Sequence, residues 1–137
     1  MTGFTVGFYW LQIGTGDFLH SFFSTVALRL ENGLWGSKYP VIMNELYQGE
    51  LPANKTDLAI DELIQIKEGL RGLSSEQVVW DIEDLSKQPP WGNKISPDIT
   101  DLSSYFVTSD GEDFIGVLER ALKTAAEEGD ALKIESL

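Results

Sequence analysis

VVWDIEDLSKQPPWG, residues Val78–Gly92, decides how the rest of this chain is laid out. Its first half alternates as a strand does, with Val78, Trp80 and Ile82 to one side and Val79, Asp81 and Glu83 to the other. Its second half, Gln88-Pro89-Pro90-Trp91-Gly92, cannot continue a strand, because the two prolines remove ladder donors and fix φ. The reading is a strand that runs into a rigid corner, with carboxylates and a tryptophan held where the two meet.

Upstream, Thr5–Gln12 (TVGFYWLQ) reads as a first strand, rich in aromatic residues and ending near Gly14. Gly14-Thr15-Gly16 is a turn, and Thr15 or Asp17 caps a helix running from about Asp17 to Glu31. Phe18, Phe22, Val26 and Leu30, joined by Leu19 and Phe23, give that helix a wide apolar stripe, and Asn32-Gly33 ends it. Leu34–Lys38 is a loop that carries Trp35, and Pro40 opens a short helix through Leu46 that Gly49 closes. Leu51–Asn54 reads as loop. Ala59, Leu63, Ile66 and Leu70 mark a second amphipathic helix from Thr56 or Asp57. Ser74 and Gln77 have the spacing of a capping box, with room for only one turn before Val78.

Downstream, Ser96-Pro97-Asp98 suggests a single helical turn, and Tyr105–Val107 a short strand. Ser109 and Glu112 form a further capping box ahead of the clearest helical periodicity in the chain: Phe114, Val117, Leu118, Ala121, Leu122 and Ala125. Gly129 stops that helix, and Leu132–Glu135 alternates as a closing strand. Strands and helices do not alternate strictly. The predicted class is therefore α+β: a small mixed or antiparallel sheet with about three helices packed on it. All 137 residues form one domain, long enough to bury roughly two-thirds of its unfolded surface without a disulfide or metal staple.

Composition narrows function. There is no cysteine, which removes thiolate catalysis, thiolate metal sites and disulfides. The start of the chain lacks a basic n-region, and the apolar run Phe4–Ile13 is too short to span a membrane, so the expectation is an unprocessed cytoplasmic protein. The net charge of −12 argues against nucleic-acid binding, which needs clustered Lys and Arg. The charge is also uneven. Residues 74–113 hold nine acids against Lys87 and Lys94, so −7 of the −12 is centred on the stretch quoted first.

Asp81, Glu83 and Asp84 are the obvious carboxylate cluster, and an acid/base pair or hard-metal site at Asp81 and Glu83 is one reading; a solvated strand face is the other. The single His20 cannot build an H-E-x-x-H site, and no G-x-S-x-G elbow accompanies it, so a hydrogen-bonded structural role is expected. Gly14-Thr15-Gly16 lacks the third glycine or lysine of a phosphate loop. Trp80 reads as core. Trp35 and Trp91, in Gly/Pro-rich loops, read equally as binding anchors or as lids folded onto the core.

Two runs carry a family resemblance: WDIEDLSKQPPWG (Trp80–Gly92) with ITDLSSYFVTSDGEDF (Ile99–Phe114), and VGFYWLQIGTGDFLHSFFSTV (Val6–Val26) with ENGLWGSKYPVIMNELYQG (Glu31–Gly49). Together they resemble the immunity protein 70 family of bacterial polymorphic-toxin systems, across nearly the whole chain. The resemblance implies a non-enzymatic antidote, without cofactor or metal, that binds a cognate toxin domain encoded beside it. A basic toxin, such as a nuclease, would suit the acidic surface. From charge and aromatic content, the expected partner-binding residues are Asp81, Glu83, Asp84, Trp91, Asp98, Asp101 and Trp35. No membrane partner is expected, and the chain is expected to be a monomer or weak dimer. Two alternatives stand beside this reading. One is a small acidic hydrolase using Asp81 and Glu83 with a divalent cation. The other is a self-associating domain with Leu132–Glu135 as a free edge.

Overall fold

A computed structural model describes residues 1–92 and 94–137. The aromatic run near the start is not one strand but a hairpin: β1 (Thr2–Val6) and β2 (Tyr9–Gly14), antiparallel, with Val6 opposite Tyr9. Two residues, Gly7 and Phe8, make the turn. Gly7 has φ +57, a left-handed value that costs glycine little. A turn this tight is hidden in sequence because strand-favouring residues flank it on both sides.

The hairpin forms half of a four-stranded antiparallel sheet in the order β2-β1-β4-β3, where β3 is Glu50–Leu51 and β4 is Leu132–Ser136. The closing strand is therefore not a free edge. β1 covers one side of it, and on the other β3 pairs with Leu132 and Lys133 while Ile134 N–H donates to Gly49 C=O at 2.9 Å. One face of the sheet sends Phe4, Val6, Ile13 and Leu132 into the core, each fully buried. On the other face Trp10 lies across Gly3, where an added Cβ would stand 2.5 Å from Trp10 Cζ2.

Three α-helices cover the inner face: α1 (Gly16–Thr25), α2 (Thr56–Arg71) and α3 (Phe114–Glu128). α3 packs on β1, and α2 packs on α3. Thr15 caps α1, its hydroxyl accepting from Phe18 N–H at 3.1 Å. The helical path continues as a π-helical turn over Val26–Leu30, so the apolar stripe extends to Leu30 as its spacing predicts. Pro40 precedes a second π-helical segment, Val41–Leu46. A 3₁₀ turn, Ala53–Lys55, replaces part of the expected loop before α2.

α3 starts four residues later than the Ser109 box implies. Asp113 is the cap, its carboxylate accepting from Gly116 N–H at 3.1 Å. Ser109 instead takes a bond from Gln12 Nε2 at 2.9 Å, tying the loop to β2. α3 ends at Gly129 in the left-handed conformation, φ +67. Its first residue, Phe114, is a hub of the core, with ring centroids 6.0 Å from Phe4, 5.9 Å from Phe18 and 4.7 Å from Phe22.

Candidate functional site

The Ser74 capping box forms, and a 3₁₀ turn over Ser75–Gln77 leads into the quoted stretch. The strand expected at Val78 does not. Residues 78–92 run as irregular chain and turns, and Tyr105–Val107 reaches only a single bridge, Val107 to Asp113. The physical reason lies in α1. Its Ser21 and Thr25 hydroxyls donate to Val79 C=O at 2.8 and 3.1 Å, and Thr25 Oγ1 accepts Val79 N–H at 3.0 Å. Ser24 Oγ accepts Ile82 N–H at 3.1 Å. Helix side chains thus satisfy the backbone groups that a neighbouring strand would otherwise take. The inward face shifts accordingly: Val79 is the buried residue, and Val78, Trp80 and Ile82 are half-buried against the core.

This clamp fixes where the acids stand. Asp81 Oδ1 accepts Glu83 N–H at 2.9 Å and lies 3.3 Å from His20 Nε2, while Oδ2 is 3.5 Å from Lys87 Nζ. The Glu83 N–H, then His20 and Lys87, hold the Asp81 carboxyl below its ordinary value. Asp84 accepts from Ser86 N–H and Oγ at 3.1 and 2.5 Å, and these bonds lower its carboxyl in the same way. Asp101 does likewise through the Ser103 hydroxyl and N–H. These three carboxylates are held ionised by local turns. Glu83 and Asp98 are exposed and make no ion pair among the described residues.

The shared strand face proposed for an Asp81–Glu83 acid/base pair is absent, since Asp81 spends one oxygen on the Glu83 backbone. Among the described residues, no group of three or more His, Asp or Glu side chains is placed to hold a metal.

The fold does join Trp35 to Asp81, which lie far apart in sequence. His20 Nδ1 is 2.8 Å from the Tyr47 hydroxyl, and its Nε2 faces Asp81. Trp35 stacks on His20 with centroids 6.3 Å apart and meets Tyr47 edge-on at 4.8 Å. Burial, with the nearby Glu83 and Asp81 carboxylates, pushes the Tyr47 hydroxyl above its usual pKa. His20 is thus hydrogen-bonded on both nitrogens. Sequence reasoning missed Tyr47; the available signal was a polar stripe, His20-Ser21-Ser24-Thr25, on an otherwise aromatic helix.

Trp91, Asp98 and Asp101 stand on the chain that follows the Pro-Pro corner. Trp91 is half-buried, donates from Nε1 to the Tyr105 hydroxyl at 2.7 Å, and meets Trp80 edge-on at 5.5 Å. Trp35 likewise donates inward, to Met43 C=O at 2.7 Å. Both indoles pack against the core with their polar edges turned to the body. Ser96–Ile99 closes as a turn, Ile99 N–H donating to Ser96 C=O at 3.0 Å, and presents Asp98.

Two carboxylates, Glu31 buried and Glu62 half-buried, shape the neighbouring loop. Glu31 accepts from the backbone N–H groups of Gly36, Lys38 and Tyr39 at 2.9–3.0 Å, and Glu62 from those of Val41 and Ile42. They hold residues 36–42, and with them the platform under Trp35. This is a structural use of acids that composition alone does not separate from surface charge.

Fold and site together define a small antiparallel α+β protein whose Val79–Asp84 segment is held by α1 hydroxyls and local turns. Residues 4–134 match the family model described as Immunity protein 70. The chain belongs to that family and is an immunity protein of a toxin system. No curated protein matches the chain, and no solved structure does. No helix among the described residues is long and apolar enough to cross a membrane.

Proposed function

We propose that this protein neutralises a cognate toxin domain by binding it, without chemistry of its own, through the acidic surface built from residues 81–101. The observation that carries the reading is the charge: −7 of the −12 falls within residues 74–113, on chain that α1 hydroxyls anchor at Val79 and Ile82. Asp81, Glu83, Asp84, Asp98 and Asp101 supply the charge, and Trp35 and Trp91 the rigid backing. The toxin is then a basic protein, a nuclease being one class whose phosphate-binding surface an acidic antidote imitates. Complementary charge speeds encounter and selects the partner. The setting is the cytoplasm, the complex is one-to-one, and neither cofactor nor metal takes part.

The test is protection. Cells expressing the cognate toxin domain survive with the wild-type protein and lose protection with the double variant Glu83→Lys/Asp98→Lys. These positions are exposed and unpaired among the described residues, so the variant keeps its fold by circular dichroism. Full protection by a folded double variant removes these carboxylates from the interface.

A further inference from the structure

Two clefts are lined in part by residues that follow Lys87. One, about 240 Å³, is lined by Phe18, Trp91, Ile95, Ile99, Tyr105 and Val107, with Lys94 and Ser96 at its polar side. The other, about 250 Å³, is polar: Ser75, Glu76, Gln88 and Pro89 line it with Val78 and Gly92. Ile95 and Tyr105 belong to both, so the two clefts adjoin.

We infer that these clefts are one bipartite groove that receives a loop of the toxin, an apolar side chain entering the first cleft and an adjacent Arg or Lys the second. The inference rests on the toxin-binding reading above and names the anchor within it.

Three observations select this occupant. The first cleft has an apolar floor that remains reachable, since Val107 is 42% exposed at its rim. That suits a side chain buried at the centre of an interface, where most binding energy concentrates. The second cleft carries Glu76, which makes no ion pair among the described residues, beside the Ser75 hydroxyl and the Gln88 amide. Such a set matches the several donors of a guanidinium or ammonium group. The stretch that supplies most of both linings, residues 74–113, carries nine acids against two lysines, so a basic loop is drawn toward it although Lys94 stands at the rim. Tyr105 divides the two clefts. Its hydroxyl already accepts from Trp91 and has no acceptor for its own proton among the described residues, which leaves it free to donate to a backbone carbonyl of the inserted loop.

Titration calorimetry with the purified cognate toxin domain tests this. Val107→Arg blocks the first cleft from an exposed position, and Glu76→Lys reverses the second. Phe8→Arg, exposed in the β1–β2 turn and outside both the groove and residues 81–101, is the control. The expected result is a loss of about 30-fold or more in affinity for each groove variant and about twofold or less for the control. Circular dichroism and unchanged thermal midpoints exclude unfolding as the cause. If wild type binds and both groove variants bind within about threefold of it, the groove is overturned while the toxin-binding reading stands. If wild type itself does not bind, that reading fails and the groove with it.

Discussion

Thr25 is the side chain on which the placement of the acidic surface most depends. Its hydroxyl both accepts Val79 N–H at 3.0 Å and donates to Val79 C=O at 3.1 Å, in a buried site. Thr25→Val keeps the shape, and helix propensities of the two residues are close. What changes is the hydrogen bonding. Val79 C=O retains Ser21, but Val79 N–H is left buried without an acceptor. An orphaned buried donor costs about 1–3 kcal/mol, and the second lost bond adds about 0.5 kcal/mol, giving about 1.5–3.5 kcal/mol in all. Ser21→Ala removes one of two donors to the same carbonyl and costs about 1 kcal/mol. At this chain length the Thr25→Val loss lowers the thermal midpoint by roughly 5–12 °C. Urea unfolding with an unchanged m-value measures the free energy, and hydrogen exchange at the Val79 amide locates it. If Thr25→Val stays within about 0.5 kcal/mol of wild type, or the Val79 amide is no less protected, the hydroxyl clamp does not hold this segment.

Other predictions follow from the same geometry. Phe114→Ala empties the junction of β1, α1 and α3 and costs about 3–5 kcal/mol by chemical denaturation, among the largest single losses in the chain. Gly3→Ala pushes Trp10 off the sheet, costs about 1–3 kcal/mol, and shifts the tryptophan fluorescence toward that of a solvated indole. The Asp81 carboxyl is held below 3.8 in the folded protein, so as pH falls the unfolded chain binds the proton first. Its contribution is present above the unfolded value and lost as pH falls through the lower folded one. Asp81→Asn therefore flattens the acid limb of stability against pH, read from urea midpoints on both sides of that window.

The three helices and the closing strand are legible because their signals are local. Apolar residues recur every three or four positions, Thr15 stands before α1, and Gly129 stands after α3. What escaped reading depends on residues distant in sequence. Val78–Glu83 alternates like a strand, yet its backbone partners are hydroxyls 54–58 positions earlier, which no window on the segment contains. The start of α3 was misplaced because Asp113 competes with Ser109 for the cap, and a bond from Gln12 on β2 draws Ser109 away. The acids of the site were visible as a run of charge. The link from Trp35 through His20 and Tyr47 to Asp81 was not, because it exists only once residues 35–47 and 78–84 both pack on α1.

The central claim is recognition of a basic toxin by the acidic surface, and the dissociation constant of that complex tests it most directly. Calorimetric titration of the cognate toxin domain at low and high salt, with wild type and with Glu83→Lys/Asp98→Lys, gives the answer in one series. The expected result is a one-to-one complex that weakens with added salt, and about tenfold or more weakening by the charge reversal at low salt. Equal affinity of wild type and variant, with no dependence on salt, would contradict it.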